Sequence, residues 1–115
     1  MQYRKLGKTG FDVSEVGLGC EWLQGQNAKD VFAVVDRAIA HGINIFDVFM
    51  SEPNVRSDIG VALKGRRDRV MLQGHICSAW LDGQYTRTRD LVQTQLAFED
   101  LLTRLQTDYI DFGML

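Results

Sequence analysis

Residues 43–55 read INIFDVFMSEPNV. Ile43 to Phe46 form an apolar run that reads as a strand, and the run delivers Asp47 to the strand's end. Phe49, Met50, Glu52 and Pro53 follow, and a new amphipathic segment begins at Val55. An acid at the end of a buried strand needs something to face. What faces it depends on how the neighbouring segments wind around this one.

The segments on either side alternate in type. Upstream, Asn27 is placed to accept the Asp30 backbone N–H as a helix N-cap, Val31, Val34, Val35, Ala38 and Ile39 repeat at helical spacing, and Gly42 ends the element. Downstream, Val55, Ile59, Ala62 and Leu63 mark a second helix that stops near Gly65. RVMLQGH, residues 69–75, is a third strand. Its run of Val70, Met71 and Leu72, like the INIFD strand, suits burial on both faces. AWLDGQYTRT, residues 79–88, reads as a loop. A third helix runs from about Arg89 to Leu105 with Leu91, Leu101, Leu102 and Leu105 on its apolar side. DYIDFGML, residues 108–115, is a fourth strand. At the other end of the chain, QYRKLGKTGFDVS, residues 2–14, alternates on both sides of a glycine-containing turn and reads as a β-hairpin. SEVGLGC, residues 14–20, is a short strand.

The order is a hairpin, strand–helix three times, then a strand. Such alternation predicts an α/β domain with a parallel sheet and right-handed crossovers. Periodicity leaves two architectures open: a small doubly wound sheet with helices on both faces, and half of a (β/α)8 barrel. A glycine-rich phosphate loop would favour the first, but GLGCEWLQGQN lacks the G-x-G-x-x-G spacing.

Composition narrows the function classes. The 115 residues make one small domain, and a net charge of −2 gives no electrostatic reason for nucleic acid or an anionic membrane as partner. No apolar run spans a bilayer and the first residues lack a signal-peptide core, so the expected compartment is the cytoplasm. Cys20 and Cys77 fit free thiols in a reducing compartment. They lie near the ends of strands separated by one other, roughly 10 Å apart and too far for a disulfide without movement. With His41 and His75 they do not make a metal-ligand pattern.

Four strings carry a more specific signal: YRKLGKTGFDVSEVGLG at 3–19, GINIFD at 42–47, ALKGRRDRV at 62–70 and RLQTDYIDF at 104–112. In this order and spacing the chain resembles the aldo/keto reductase family from end to end. The resemblance implies the N-terminal half of a (β/α)8 TIM barrel, residues 1–115, with an N-terminal β-hairpin closing its bottom. It also implies reduction of small carbonyl substrates with NADPH. In that family an aspartate, a tyrosine, a lysine and a histidine stand at strand ends. The tyrosine protonates the carbonyl oxygen, and the lysine, paired with the aspartate, tunes it.

On this resemblance Asp47 matches the aspartate. Glu52 stands where the family has tyrosine, and His75 where it has lysine. The family histidine would fall immediately after Leu115. The rim near Gly19, Cys20 and Trp22 is where the nicotinamide would lie, and the family's main phosphate and adenine contacts fall beyond the segments present.

Each of these residues has a plainer reading beside the functional one. Asp47 is a mouth-lining acid or a loop cap. Glu52 is a substitute general acid or a solvated loop acid before Pro53. His75, on the strand next to Asp47, forms either a catalytic or a merely satisfied polar pair with it. Trp22 and Trp80 form an aromatic wall or simply pack. Lys64, Arg66, Arg67 and Arg69 lie in a helix-to-strand loop at the barrel's bottom and read as a solvated surface.

Half a barrel has two open sheet edges and an inner face without an opposite wall. The expected remedies are a homo-oligomer, most simply a twofold dimer, or a C-terminal half supplied elsewhere. The two functional expectations are therefore an aldo/keto reductase-type oxidoreductase, weak or inactive as the isolated chain, and a non-catalytic half barrel that self-assembles or serves as a subunit.

Overall fold

The computed structural model describes residues 1–115. The hairpin pairs β1 (Tyr3–Lys5) with β2 (Asp12–Ser14). Four parallel strands follow: β3 (Leu18–Gly19), β4 (Ile45–Val48), β5 (Met71–His75) and, last in the chain, β8 (Phe112–Met114). The helices between them are α1 (Ala28–Ala40), α2 (Pro53–Ala62) and α3 (Leu91–Leu105). A second hairpin, β6 (Ser78–Leu81) with β7 (Gln84–Arg87), stands between β5 and α3.

The sheet order is β3-β4-β5-β8, strictly the order of the chain. The helices pack in the same order, α1 on α2 and α2 on α3, in one row. A doubly wound sheet reverses its strand order at a switch point and places helices on both faces. Neither feature is present, so the winding is that of a barrel arc.

Local chemistry explains the elements. Asn27 caps α1, its side chain accepting the Asp30 N–H at 2.9 Å. Asp90 does the same for α3 through the Gln93 N–H at 2.8 Å. Gly60 lets α2 meet the C-terminal turn of α3: a β-carbon there would collide with the Arg104 carbonyl and lie 2.9 Å from Leu105 Cα. The core lies between the sheet and this helix row. Phe46, Val48 and Leu72 from the strands meet Val31, Val35 and Ile39 of α1, Ile59 and Leu63 on the α2 side, and Leu101 and Leu105 of α3.

Four expectations change. β4 and β5 are buried on one face only, because strand side chains alternate: Phe46, Val48, Leu72 and Gly74 are buried, while Ile45, Asp47, Met71, Gln73 and His75 on the inner face stay partly exposed. Leu91 is 83% exposed, since it lies in the first turn of α3, ahead of the stretch that reaches the core. Residues 79–88 are not a loop. Asp82 and Gly83 both take positive φ, 52° and 76°, as a two-residue I′-type hairpin turn requires. Finally, the basic loop is not simply solvated. Arg67, 16% exposed, donates to the Val70 and Tyr109 carbonyls, Thr107 Oγ1 and Asp111 Oδ2, and its guanidinium lies 4.1 Å from the Tyr109 ring centroid. Arg66 pairs with Asp36.

The inner face keeps one apolar cover at its bottom. Phe11 of the first hairpin's loop meets Phe112 edge-on, with centroids 5.5 Å apart. No helix is long and apolar enough to cross a membrane.

Candidate functional site

Asp47 owes its position to its neighbours. Phe46 and Val48 are anchored in the core, so the residue between them must point to the inner face. Its backbone is pinned on both sides, in register with Gly19 of β3 and Gln73 of β5, and its carbonyl accepts the Cys20 N–H at 2.9 Å. His75 lies two residues beyond Gln73 on the same face. Its Nε2 stands 3.1 Å from Asp47 Oδ1. With a neutral ring protonated at Nε2, or with a charged ring, the histidine donates to the carboxylate. Phe49 meets the His75 ring edge-on, at 4.8 Å and 89°. The pair is half-open to solvent: His75 is 26% and Asp47 40% exposed.

Two clefts meet at this pair. The first, about 430 Å³, is lined by Gly19, Cys20, Glu21, Trp22, Asp47 and Phe49. The rim residues Gly19, Cys20 and Trp22 therefore share one cleft with Asp47. Trp22 is 84% exposed at its edge. Cys20 has no exposed surface and forms the floor. Its burial, and secondarily the Asp47 charge, push its thiol up to about 12, so it remains protonated. The second cleft, about 360 Å³, has His75, Cys77, Tyr85, Arg87 and Met114 in its walls and shares Phe49 with the first. The Asp47–His75 hydrogen bond joins the two.

Glu52 lies in neither cleft. It caps α2, its two carboxylate oxygens accepting the Asn54 and Val55 N–H groups at 3.1 and 2.8 Å, with Pro53 at the first helical position. Trp22 and Trp80 do not share a wall. Trp80 lines a separate groove with Arg56, Leu96 and Arg104 between α2, α3 and the second hairpin. Arg56, 1% exposed, holds the Met50 carbonyl at 2.9 Å and so fixes the turn between β4 and α2.

Sequence reasoning missed Phe49, Tyr85 and Arg87. The signal for the last two was the Asp82-Gly83 pair between alternating residues, a strong hairpin cue. The hairpin is stitched to the β4–α2 turn: Ser78 Oγ donates to the Phe49 carbonyl at 3.0 Å and Ser51 Oγ to the Ala79 carbonyl at 2.5 Å.

A parallel strand arc with polar groups at its C-terminal ends has the geometry of the mouth of a (β/α) barrel. No protein-family model matches the chain. Known proteins do. The chain is 36% identical over 119 residues to the uncharacterized oxidoreductase YqkF of Bacillus subtilis, covering all of this chain and 39% of that protein. It is 31% identical over 121 residues to the aldo-keto reductase YhdN of the same organism, covering 96% and 36%. Among solved structures, aldo-keto reductase AKR11C1 from Bacillus halodurans, in its holo form, superposes with a TM-score of 0.84 at 32% identity, over 98% of this chain and 39% of that one. An aldo-keto reductase from Klebsiella pneumoniae in complex with NADPH gives 0.71 at 26% identity, over 92% and 36%. The chain spans about two-fifths of the length of these relatives. Over its whole length it is similar to aldo-keto reductases and corresponds to the N-terminal part of their barrel.

Proposed function

We propose that the chain forms the carbonyl-facing part of a nicotinamide-dependent oxidoreductase site, and that the reaction served is reduction of a small carbonyl compound with NADPH. The observation that carries this reading is the Asp47–His75 pair at 3.1 Å, placed at the strand ends where two clefts meet. The relative solved with NADPH supports the choice of cofactor.

The first cleft fits one end of that cofactor. Gly19 leaves open space where a side chain would stand, and Trp22 offers a flat face beside it. The only charged side chains there are the acids Glu21 and Asp47, so the cleft holds no cation for the phosphates. Gly19, Trp22 and the Cys20 floor are thus the residues that would hold the nicotinamide. When bound, the reduced ring supplies a hydride. Asp47 orients His75, and His75 contributes a polar edge to the adjoining cleft. Glu52 serves its helix instead.

The isolated chain is a weak catalyst on this reading, because it leaves the phosphates unheld. The test is NADPH oxidation by the purified chain with small aldehydes and ketones, in parallel with Asp47→Asn and His75→Asn. Slow turnover that both variants abolish supports the reading; turnover indifferent to both contradicts it.

A second reading rests on a different observation. The outer edges of β3 and β8 are unpaired and the inner face is partly open. The chain is then a non-catalytic half that closes against a second copy or another segment. Sedimentation distinguishes it: self-association at micromolar concentration without cofactor binding favours this reading.

A further inference from the structure

Once Glu52 is committed to a helix cap and the His75 Nε2 faces Asp47, the mouth still needs a group that can give a proton to a carbonyl oxygen. The geometry points to Tyr85: its hydroxyl binds the substrate's carbonyl oxygen in the second cleft and donates the proton. This inference rests on the carbonyl-reduction reading above.

Several observations carry it. Tyr85 stands in the wall of the second cleft with His75, and its ring lies 5.3 Å from Phe49, the residue the two clefts share. Arg87 Nε donates to Tyr85 Oη at 3.2 Å. The phenol oxygen thus accepts from Arg87, and its own O–H is left to donate elsewhere. The supporting hairpin is not a free loop. Besides the two serine stitches, the Thr88 N–H donates to the Cys77 carbonyl at 3.0 Å, closing the hairpin's base. Tyr85 is 38% exposed, so substrate can reach it and solvent can return its proton.

The step balances. The carbonyl carbon receives a hydride from the reduced nicotinamide, the carbonyl oxygen receives the Tyr85 proton, and an alcohol leaves. The phenoxide takes a proton from water. His75 and Phe49 border the space on the side of the first cleft, from which the hydride arrives.

The experiment uses the purified chain and 4-(dimethylamino)cinnamaldehyde, whose absorbance moves to longer wavelength when its carbonyl oxygen accepts a hydrogen bond. Wild type, Tyr85→Phe and His75→Asn are titrated with this aldehyde, and NADPH oxidation is followed in parallel. The expected result is a red shift in wild type and His75→Asn that is lost in Tyr85→Phe, with turnover of Tyr85→Phe lower by about a hundredfold and its melting temperature unchanged. A red shift or turnover that survives in Tyr85→Phe overturns the role of Tyr85 and leaves the carbonyl-reduction reading standing. A wild-type chain with neither shift nor turnover overturns both.

Discussion

Asp47 and His75 lie on neighbouring strands without facing each other in register. Asp47 is paired with Gln73, and His75 reaches back across two residues to place Nε2 3.1 Å from Asp47 Oδ1. The contact therefore reflects side-chain choice rather than strand pairing. Because both groups are partly exposed, the pair contributes little to folding, about 0–1 kcal/mol. Asp47→Asn is expected to melt within a few degrees of wild type while NADPH-dependent turnover falls about a hundredfold, as for misplacement of the His75 side chain that it orients. Equal losses of stability and turnover would assign the pair to folding.

The two thiols differ in chemistry. Cys20 is buried and its thiol is raised from an ordinary 9.0 to about 12, while Cys77 is partly exposed in the second cleft. A thiol reagent at pH 8 should label one cysteine per native chain, and Cys77→Ser should abolish that labelling. Cys20 should react only after denaturant is added.

The same shift links Cys20 to stability. The folded chain holds this proton more tightly than the unfolded one, so the contribution is fully present below pH 9 and is lost as pH rises toward about 12. Cys20→Ala should flatten that part of the stability–pH curve measured by urea unfolding. An unchanged slope would mean that the thiol ionises normally in the folded state.

Gly60 sets the distance between α2 and α3. A methyl group there meets the backbone of Arg104 and Leu105 rather than flexible side-chain ends. Gly60→Ala should therefore destabilise the chain by about 2–3 kcal/mol, despite the better helix propensity of alanine. Urea unfolding measures it, and a stabilised variant would show that the helices can separate without cost.

Much of this was legible in the sequence because local chemistry decided it. The first hairpin, the Asn27 cap and the three strand–helix alternations follow from spacing and turn residues. What periodicity could not supply was the direction of winding, which the four family-like strings implied and the strand order β3-β4-β5-β8 shows. Apolar runs such as Val70–Leu72 announce a buried strand but do not say that one of its faces looks into an open arc. Arg67 looked solvated because its partners, Thr107, Tyr109 and Asp111, lie some forty residues away. Glu52 looked like loop chemistry because glutamate is an unusual N-cap, although Pro53 after it was the cue. Of the candidate site, the resemblance pointed to Asp47, His75, Gly19, Cys20 and Trp22, and the structure gathers these around two adjoining clefts. Tyr85 and Arg87 in the second cleft were hidden by reading an Asp-Gly hairpin as a loop.

On the proposed function, this chain holds the nicotinamide and carbonyl end of the site and leaves the cofactor's phosphates unheld. The most direct measurement is a fluorescence titration of Trp22 with NADPH and, separately, with reduced nicotinamide mononucleotide, using Trp22→Phe as the control. Saturable quenching by both is expected, with closely similar weak affinities, and loss of the signal in Trp22→Phe. Quenching by neither compound, or NADPH binding a hundredfold tighter than the mononucleotide, would contradict it.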